Sequence, residues 1–361
     1  MLQNKPTTAR KWALVLLTAA LVLALAACGG NKDAANGGTT NTDKPTDVIA
    51  TYKENGTITK ANFDSFMNVN KLINPGLEQY AADPAFQQDL LKQLIAMKVL
   101  ASRASDPVKA EADKQVASQL EQFKMYFGAM EGGLDEQLKK NNLQMADIED
   151  FLKMSSYGIG GLKEKVTDDE AKKSYDDRLK AEPGAYGVAT VSHILIGLTD
   201  PSDPTGQKAL RTKEEALARA KEVKDKLDKG GDFAALAKEY SDDPGSKDTG
   251  GQYKDADINQ WVEGFKNAAA TLPIGKISDP VETEFGYHVM RVDARKTKTF
   301  DEVKDSLKSE VAEQSAYDFM EKELPGLILT NNLPQPPAPS ATPTAPAEGT
   351  TTTPATPAPS K

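Results

Sequence analysis

Cysteine is almost absent from this chain: its 361 residues include one, Cys28. A lone thiol forms no disulfide within the chain and no multi-thiolate metal site. Histidine occurs only twice, as His193 and His288. Positive charge is in deficit, with 44 Lys and Arg against 53 Asp and Glu. That balance argues against nucleic acid as a partner. Long apolar runs are missing too. The uncharged stretch Trp12 to Ala27 has 16 residues, short of the roughly 20 that span a bilayer.

What is present at the N-terminus is a targeting segment. Lys5, Arg10 and Lys11 precede the apolar stretch, which ends in Leu25-Ala26-Ala27-Cys28-Gly29-Gly30. Small residues ahead of the only cysteine mark a secretory signal with a lipoprotein-type cleavage site. The segment resembles the bacterial lipobox, which implies cleavage before Cys28 and diacylation of its sulfur. Loss of residues 1–27 takes the net charge from −9 to −12. So acidic a chain gains nothing electrostatically from an anionic membrane, and anchoring falls to the lipid.

Composition then divides the chain. Residues 28–46 are rich in Gly, Asn, Thr and Lys and read as a flexible tether. Residues 333–361 hold nine of the 21 prolines and two charged side chains, Glu348 and Lys361. This Pro/Thr-rich tail is expected to be extended and disordered.

Residues 47–183 read as mainly helical. A short hairpin is expected around Asn55-Gly56. Helices follow from a cap at Thr59, bearing Phe63, Phe66 and Met67, over residues 84–104, from Pro107 to Gly128, and from a capping box at Thr167 to Leu179. Residues 184–296 read as a unit of mixed strands and helices. A strand covers Val188–Ile196, a capping box at Thr212 opens a helix, and Asp232 caps another. Ser241–Asp257 reads as a polar loop. A helix then bears Phe265, Ala268, Ala269 and Leu272, and two strands contain Ile277–Thr283 and Tyr287–Val292. Residues 297–332 return to helix from a capping box at Thr299. One amphipathic helix does not fold alone. It is expected to pack on the residue 47–183 helices, making the mixed unit an insertion.

Both histidines fall inside β-branched apolar runs typical of buried strands, which points to an internal imidazole pair. Around them lie Ser192-His193-Ile194-Leu195, Gly231-Asp232-Phe233-Ala234-Ala235-Leu236-Ala237, Tyr240-Ser241-Asp242-Asp243-Pro244-Gly245-Ser246, Gly250-Gly251, Gly275-Lys276-Ile277-Ser278-Asp279-Pro280-Val281 and Thr283-Glu284-Phe285-Gly286-Tyr287-His288. In this order the motifs resemble a parvulin-type peptidyl-prolyl cis/trans isomerase. With the lipobox, the helical flanks and the tail, the chain resembles the PrsA-like extracytoplasmic foldase lipoproteins. The resemblance implies an α+β fold: a parvulin-like antiparallel sheet with surrounding helices, inserted in a mainly helical, chaperone-like domain built from N- and C-terminal segments.

The resemblance also implies site roles. His193 and His288 correspond to the paired central histidines and Thr283 to the threonine bonded to them. Asp243 stands where the family has Cys or Asp. Phe265 matches an aromatic wall of the proline pocket and Trp261 falls where methionine is usual; by their apolar character Trp261, Phe265 and Leu272 suit that wall. Tyr253 replaces the pocket leucine of the family's Gly-Gly-Asp-Leu-Gly. The loop after the first strand reads Asp200-Pro201-Ser202-Asp203-Pro204, without the basic cluster of phosphate-directed members.

Rotation about an X–Pro bond breaks no covalent bond, so no metal or cofactor is required. The barrier of about 18–20 kcal/mol comes from amide resonance, and whatever favours the twisted amide over the planar one accelerates exchange. An apolar pocket would hold the ring while Asp243, at its rim, meets the twisting carbonyl or amide nitrogen. The implied partners are unfolded or partly folded exported proteins with X–Pro bonds, with a homodimer as a further possibility. The alternative is a holdase chaperone with a weak or inactive isomerase unit. A solute-capturing lipoprotein would need repeated βαβ units, which residues 47–183 do not display.

Overall fold

The computed structural model describes residues 47–203 and 208–336. The leader, Cys28, the tether and the tail beyond residue 336 lie outside the described residues.

Two bodies share the chain. The helical body opens with a hairpin, β1 (Val48–Tyr52) and β2 (Gly56–Thr59). Glu54 and Asn55 take left-handed backbone at its turn. Thr59 and Asn62 then form a reciprocal cap for α1 (Lys60–Ile73). Asp83 and Pro84 start α2 (Pro84–Ser102), whose Leu90, Leu91, Leu94, Ile95 and Val99 are fully buried. Ser105 caps α3 (Asp106–Gly128), with Pro107 in its first turn.

Two further helices, α4 (Gly133–Lys140) and α5 (Met145–Lys165), complete this part of the core. Phe63, Phe66, Phe123 and Phe127 point inward, whereas Met125, Tyr126 and Met130 at the end of α3 are exposed. Helix α6 (Asp168–Ala181) follows the Thr167–Glu170 capping box.

The chain returns to this body after the insertion. Thr299 and Glu302 cap α10 (Phe300–Lys322), which packs on α5 and α6 and ties its Arg178–Glu310 pair at 2.7 Å. The all-helical expectation for residues 297–332 is corrected here. Pro325 and Gly326 end the helical stretch, and Ile328–Asn331 form β7, which pairs with the free edge of β1. An exposed strand edge is a template for pairing, and the returning chain occupies it.

The inserted unit is a four-stranded antiparallel sheet of β3 (Gly187–Gly197), β4 (Gln252–Asp257), β5 (Val281–Thr283) and β6 (Gly286–Thr297). Across the sheet their order is β4-β3-β6-β5. Strand β4 lies inside the expected Ser241–Asp257 loop. It is a polar edge strand, so it lacks the apolar alternation that marks a strand in sequence. The expected Ile277–Thr283 strand shortens to β5, with Ile277 making one isolated bridge to Arg291.

Side chains alternate across β3. Ile194 and Ile196 face α7 (Lys213–Asp228) and α8 (Phe233–Tyr240). Ala189 and Val191 face α9 (Glu263–Thr271) together with Met290 and Val292 of β6. His193 and His288 therefore share the α9 face. The two bodies meet where Tyr175 stacks on Tyr186 at 4.9 Å and donates to the Lys298 carbonyl at 2.7 Å.

Candidate active site

Strand register sets the centre. His193 pairs opposite Met290 and His288 opposite Leu195, so the imidazoles are diagonal neighbours. Their Nδ1 atoms lie 3.2 Å apart, and both residues are buried. His288 Nε2 is 2.9 Å from Thr283 Oγ1 at the end of β5. His193 Nε2 is 2.9 Å from Asp243 Oδ2. The structure brings these four expected residues into one hydrogen-bonded line.

The loop carrying Asp243 is fastened to β3. The Asp242 N–H donates to the Leu195 carbonyl at 2.8 Å, and the Gly197 N–H donates to Asp242 Oδ2 at 2.9 Å. Arg211 pairs with the same Asp242 oxygen. At the other end of the loop the His193 N–H donates to the Gly251 carbonyl at 2.7 Å. Gly251 has φ of +75°, and a Cβ there would sit 2.2 Å from the His193 carbonyl oxygen. Only glycine allows that approach.

Electrostatics and hydrogen bonding constrain the proton positions. Burial pushes the His288 imidazole down to about 3, with His193 beside it as the second cause and Asp243 partly opposing. Burial by itself raises the Asp243 carboxyl. Hydrogen bonds from His193, Ser246 and the Gly245 N–H outweigh it and hold the group well below the usual carboxylate range. An ionised carboxylate only accepts, so His193 Nε2 carries a hydrogen. If neither ring is charged, a single arrangement satisfies every contact. Thr283 donates to His288 Nε2, His288 Nδ1 donates to His193 Nδ1, and His193 Nε2 donates to Asp243. The Phe285 N–H completes the line by donating to Thr283 Oγ1 at 3.2 Å.

Above this floor is a cavity of about 690 Å³. Its walls include Tyr253, Trp261, Phe265 and Phe285. Phe265 presents itself edge-on to both imidazoles, at 5.1 Å from each, and Trp261 meets Phe265 at 4.9 Å. Tyr253 stacks on His193 at 5.3 Å. Its hydroxyl donates to Asp243 Oδ2 at 2.9 Å, and burial followed by this bond pushes the phenol up to about 12.

Leu272 is the expected wall residue that the structure places elsewhere. It follows the last turn of α9 and packs against the Ala189–Val292 cluster, while its carbonyl accepts from Arg295. It does not line the cavity. Ser246 was not anticipated. Its buried Oγ lies 2.9 Å from His193 Nε2 and donates to Asp243 Oδ2. Its place three residues after Asp243, within the Asp-Asp-Pro-Gly-Ser motif, was the available signal.

A small antiparallel sheet with paired buried histidines under an aromatic cavity defines a parvulin-type peptidyl-prolyl cis/trans isomerase. A family model described as a PPIC-type PPIASE domain matches residues 165–296. Foldase protein PrsA of Geobacillus kaustophilus is 31% identical over 308 residues, covering 84% of this chain and 85% of that one. Foldase protein PrsA 3 of Bacillus anthracis is 30% identical over 310 residues, covering 86% of both. Among solved structures, the peptidylprolyl isomerase PrsA of Bacillus anthracis is 27% identical, covering 66% of this chain and 94% of that one with a TM-score of 0.34. The chain belongs to the PrsA foldase family.

Proposed function

We propose that this isomerase is anchored by lipid at Cys28 on the extracytoplasmic face of the cell membrane. There it accelerates X–Pro exchange in unfolded or partly folded exported proteins. The anchor reading rests on the lipobox-like segment. No described helix is long and apolar enough to cross a membrane.

The observation that carries the catalytic reading is the buried, hydrogen-bonded His193–His288 floor beneath an aromatic cavity. The proline ring sits against Trp261 and Phe265, where water is excluded, and the preceding carbonyl rotates over the floor. Tyr253 closes the side nearest Asp243. Uncatalysed exchange takes tens to hundreds of seconds, slow enough to limit folding of a client.

The deciding experiment is cis/trans exchange of a short X–Pro peptide, followed by NMR with the protein added. The parent accelerates exchange, and His288→Ala or His193→Ala abolishes it in a folded protein. A variant as fast as the parent would overturn the site. For the anchor, Cys28→Ser should move the protein from the membrane fraction to the soluble one. Retention in the membrane would overturn that part.

A further inference from the structure

Asp243 Oδ2 has more donors than it has lone pairs. His193 Nε2 lies at 2.9 Å, the Tyr253 hydroxyl at 2.9 Å, and the Ser246 hydroxyl also donates to it. A carboxylate oxygen offers two in-plane lone pairs. Three converging donors leave it nothing with which to engage a substrate. Oδ1 in turn accepts the Gly245 N–H at 3.0 Å.

The donors come from three places: His193 from β3, Tyr253 from β4, and Ser246 from the loop that carries Asp243 itself. Across the sheet His288 of β6 sits behind His193. The neighbouring Asp242 is occupied by Arg211. No Lys or Arg is among the residues lining the cavity; Asp243 is met there by hydrogen bonds from His193, Tyr253, Ser246 and the Gly245 N–H.

We propose that Ser246 and Tyr253 are positioning residues. They clamp Asp243 in the one orientation that holds a hydrogen on His193 Nε2, and Asp243 Oδ2 acts through that imidazole. Ser246 is the sharper case, because its hydroxyl is buried, bonds both Asp243 and His193, and does not line the cavity. The inference rests on the proposed isomerase site and specifies how its floor is kept in register.

The chain has two histidines in all, so ring-nitrogen NMR of the 15N-labelled full chain reads both tautomers directly, without any activity. The parent should show His193 held as one tautomer, protonated at Nε2. In Ser246→Ala, and more strongly in Ser246→Ala with Tyr253→Phe, that signature should average toward a tautomer mixture. The acid limb of the peptide-exchange profile should move up by about one pH unit for each hydroxyl removed, because a carboxylate stripped of donors protonates more readily. Tyr253→Phe keeps the ring and its stacking, so it serves where Ser246→Ala fails to fold. A double variant with the parent's tautomer signature and acid limb would overturn the inference. A parent that does not accelerate exchange, yet loses its tautomer signature in the variants, would refute the isomerase site and leave the clamp standing.

Discussion

Lowering the pH from 7 to 5 should weaken the inserted unit by an amount that His288 accounts for. Its imidazole is held at about 3 by burial and by its neighbour His193, against an ordinary value of 6.5. At pH 5 the unfolded chain therefore binds almost one more proton at this residue than the folded chain does. Stability rises with pH wherever the unfolded state binds more protons. The loss therefore begins as pH falls through 6.5 and is complete near 3. The slope is about 1.4 kcal/mol per pH unit, and integration from pH 7 to 5 gives a loss of about 2 kcal/mol. Asp243 is depressed in the folded state from its ordinary value of 3.8, so its contribution persists at pH 5 and is lost only below that value. It lies outside the window. The assay is urea unfolding of residues 28–361 at both pH values, read by Trp261 fluorescence. Trp12, the other tryptophan, falls in the leader. His288→Gln removes the titration and keeps a polar side chain on the floor. The parent should lose about 2 kcal/mol more than His288→Gln between the two pH values, since groups common to both cancel. Equal losses would refute the reasoning.

Three other perturbations follow from the geometry. Thr283→Val leaves His288 Nε2 without its donor, at a cost of about 1–3 kcal/mol; peptide exchange should slow, and Thr283→Ser should restore it. Gly251→Ala forces a Cβ against the His193 carbonyl in left-handed backbone, and thermal unfolding should register on the order of 1–3 kcal/mol with loss of exchange activity. Phe123→Ala empties a fully buried position in the helical body and should cost roughly 3–5 kcal/mol. Because that residue is remote in the fold from the cavity, short-peptide exchange by the still-folded fraction should be unchanged.

The parts legible in sequence were those with a local signature. The capping boxes at Thr167, Thr212 and Thr299 all form with both reciprocal bonds, because each motif satisfies the orphan amides of its own helix. His193 and His288 were legible as a pair because alternation along β3 and β6 fixes which face each occupies. What escaped depends on distant chain. Strand β4 is mostly polar and owes its existence to the exposed edge of β3. Strand β7 owes its existence to β1. Ser246 acquires its partners only when the loop folds onto His193. Leu272 carries the right chemistry for a wall, but it lies just past α9, where its carbonyl serves Arg295 and its side chain faces the sheet layer.

The chemistry of the floor also says what kind of catalyst this is. An imidazole held near 3 by burial is neither a base nor an acid of use at neutral pH. In a site for proton transfer that would be a defect. Rotation of an amide transfers no proton, so a neutral His288 is compatible with the reaction and has an advantage. It can sit in a dry, aromatic setting without the desolvation penalty of an ion. Asp243 is held ionised against its own burial by hydrogen bonds from His193, Ser246 and the Gly245 N–H. Burying His288 and tying Asp243 into the same hydrogen-bonded line thus serve one end: a rigid floor beneath the aromatic cavity, whose groups keep their places while the amide turns.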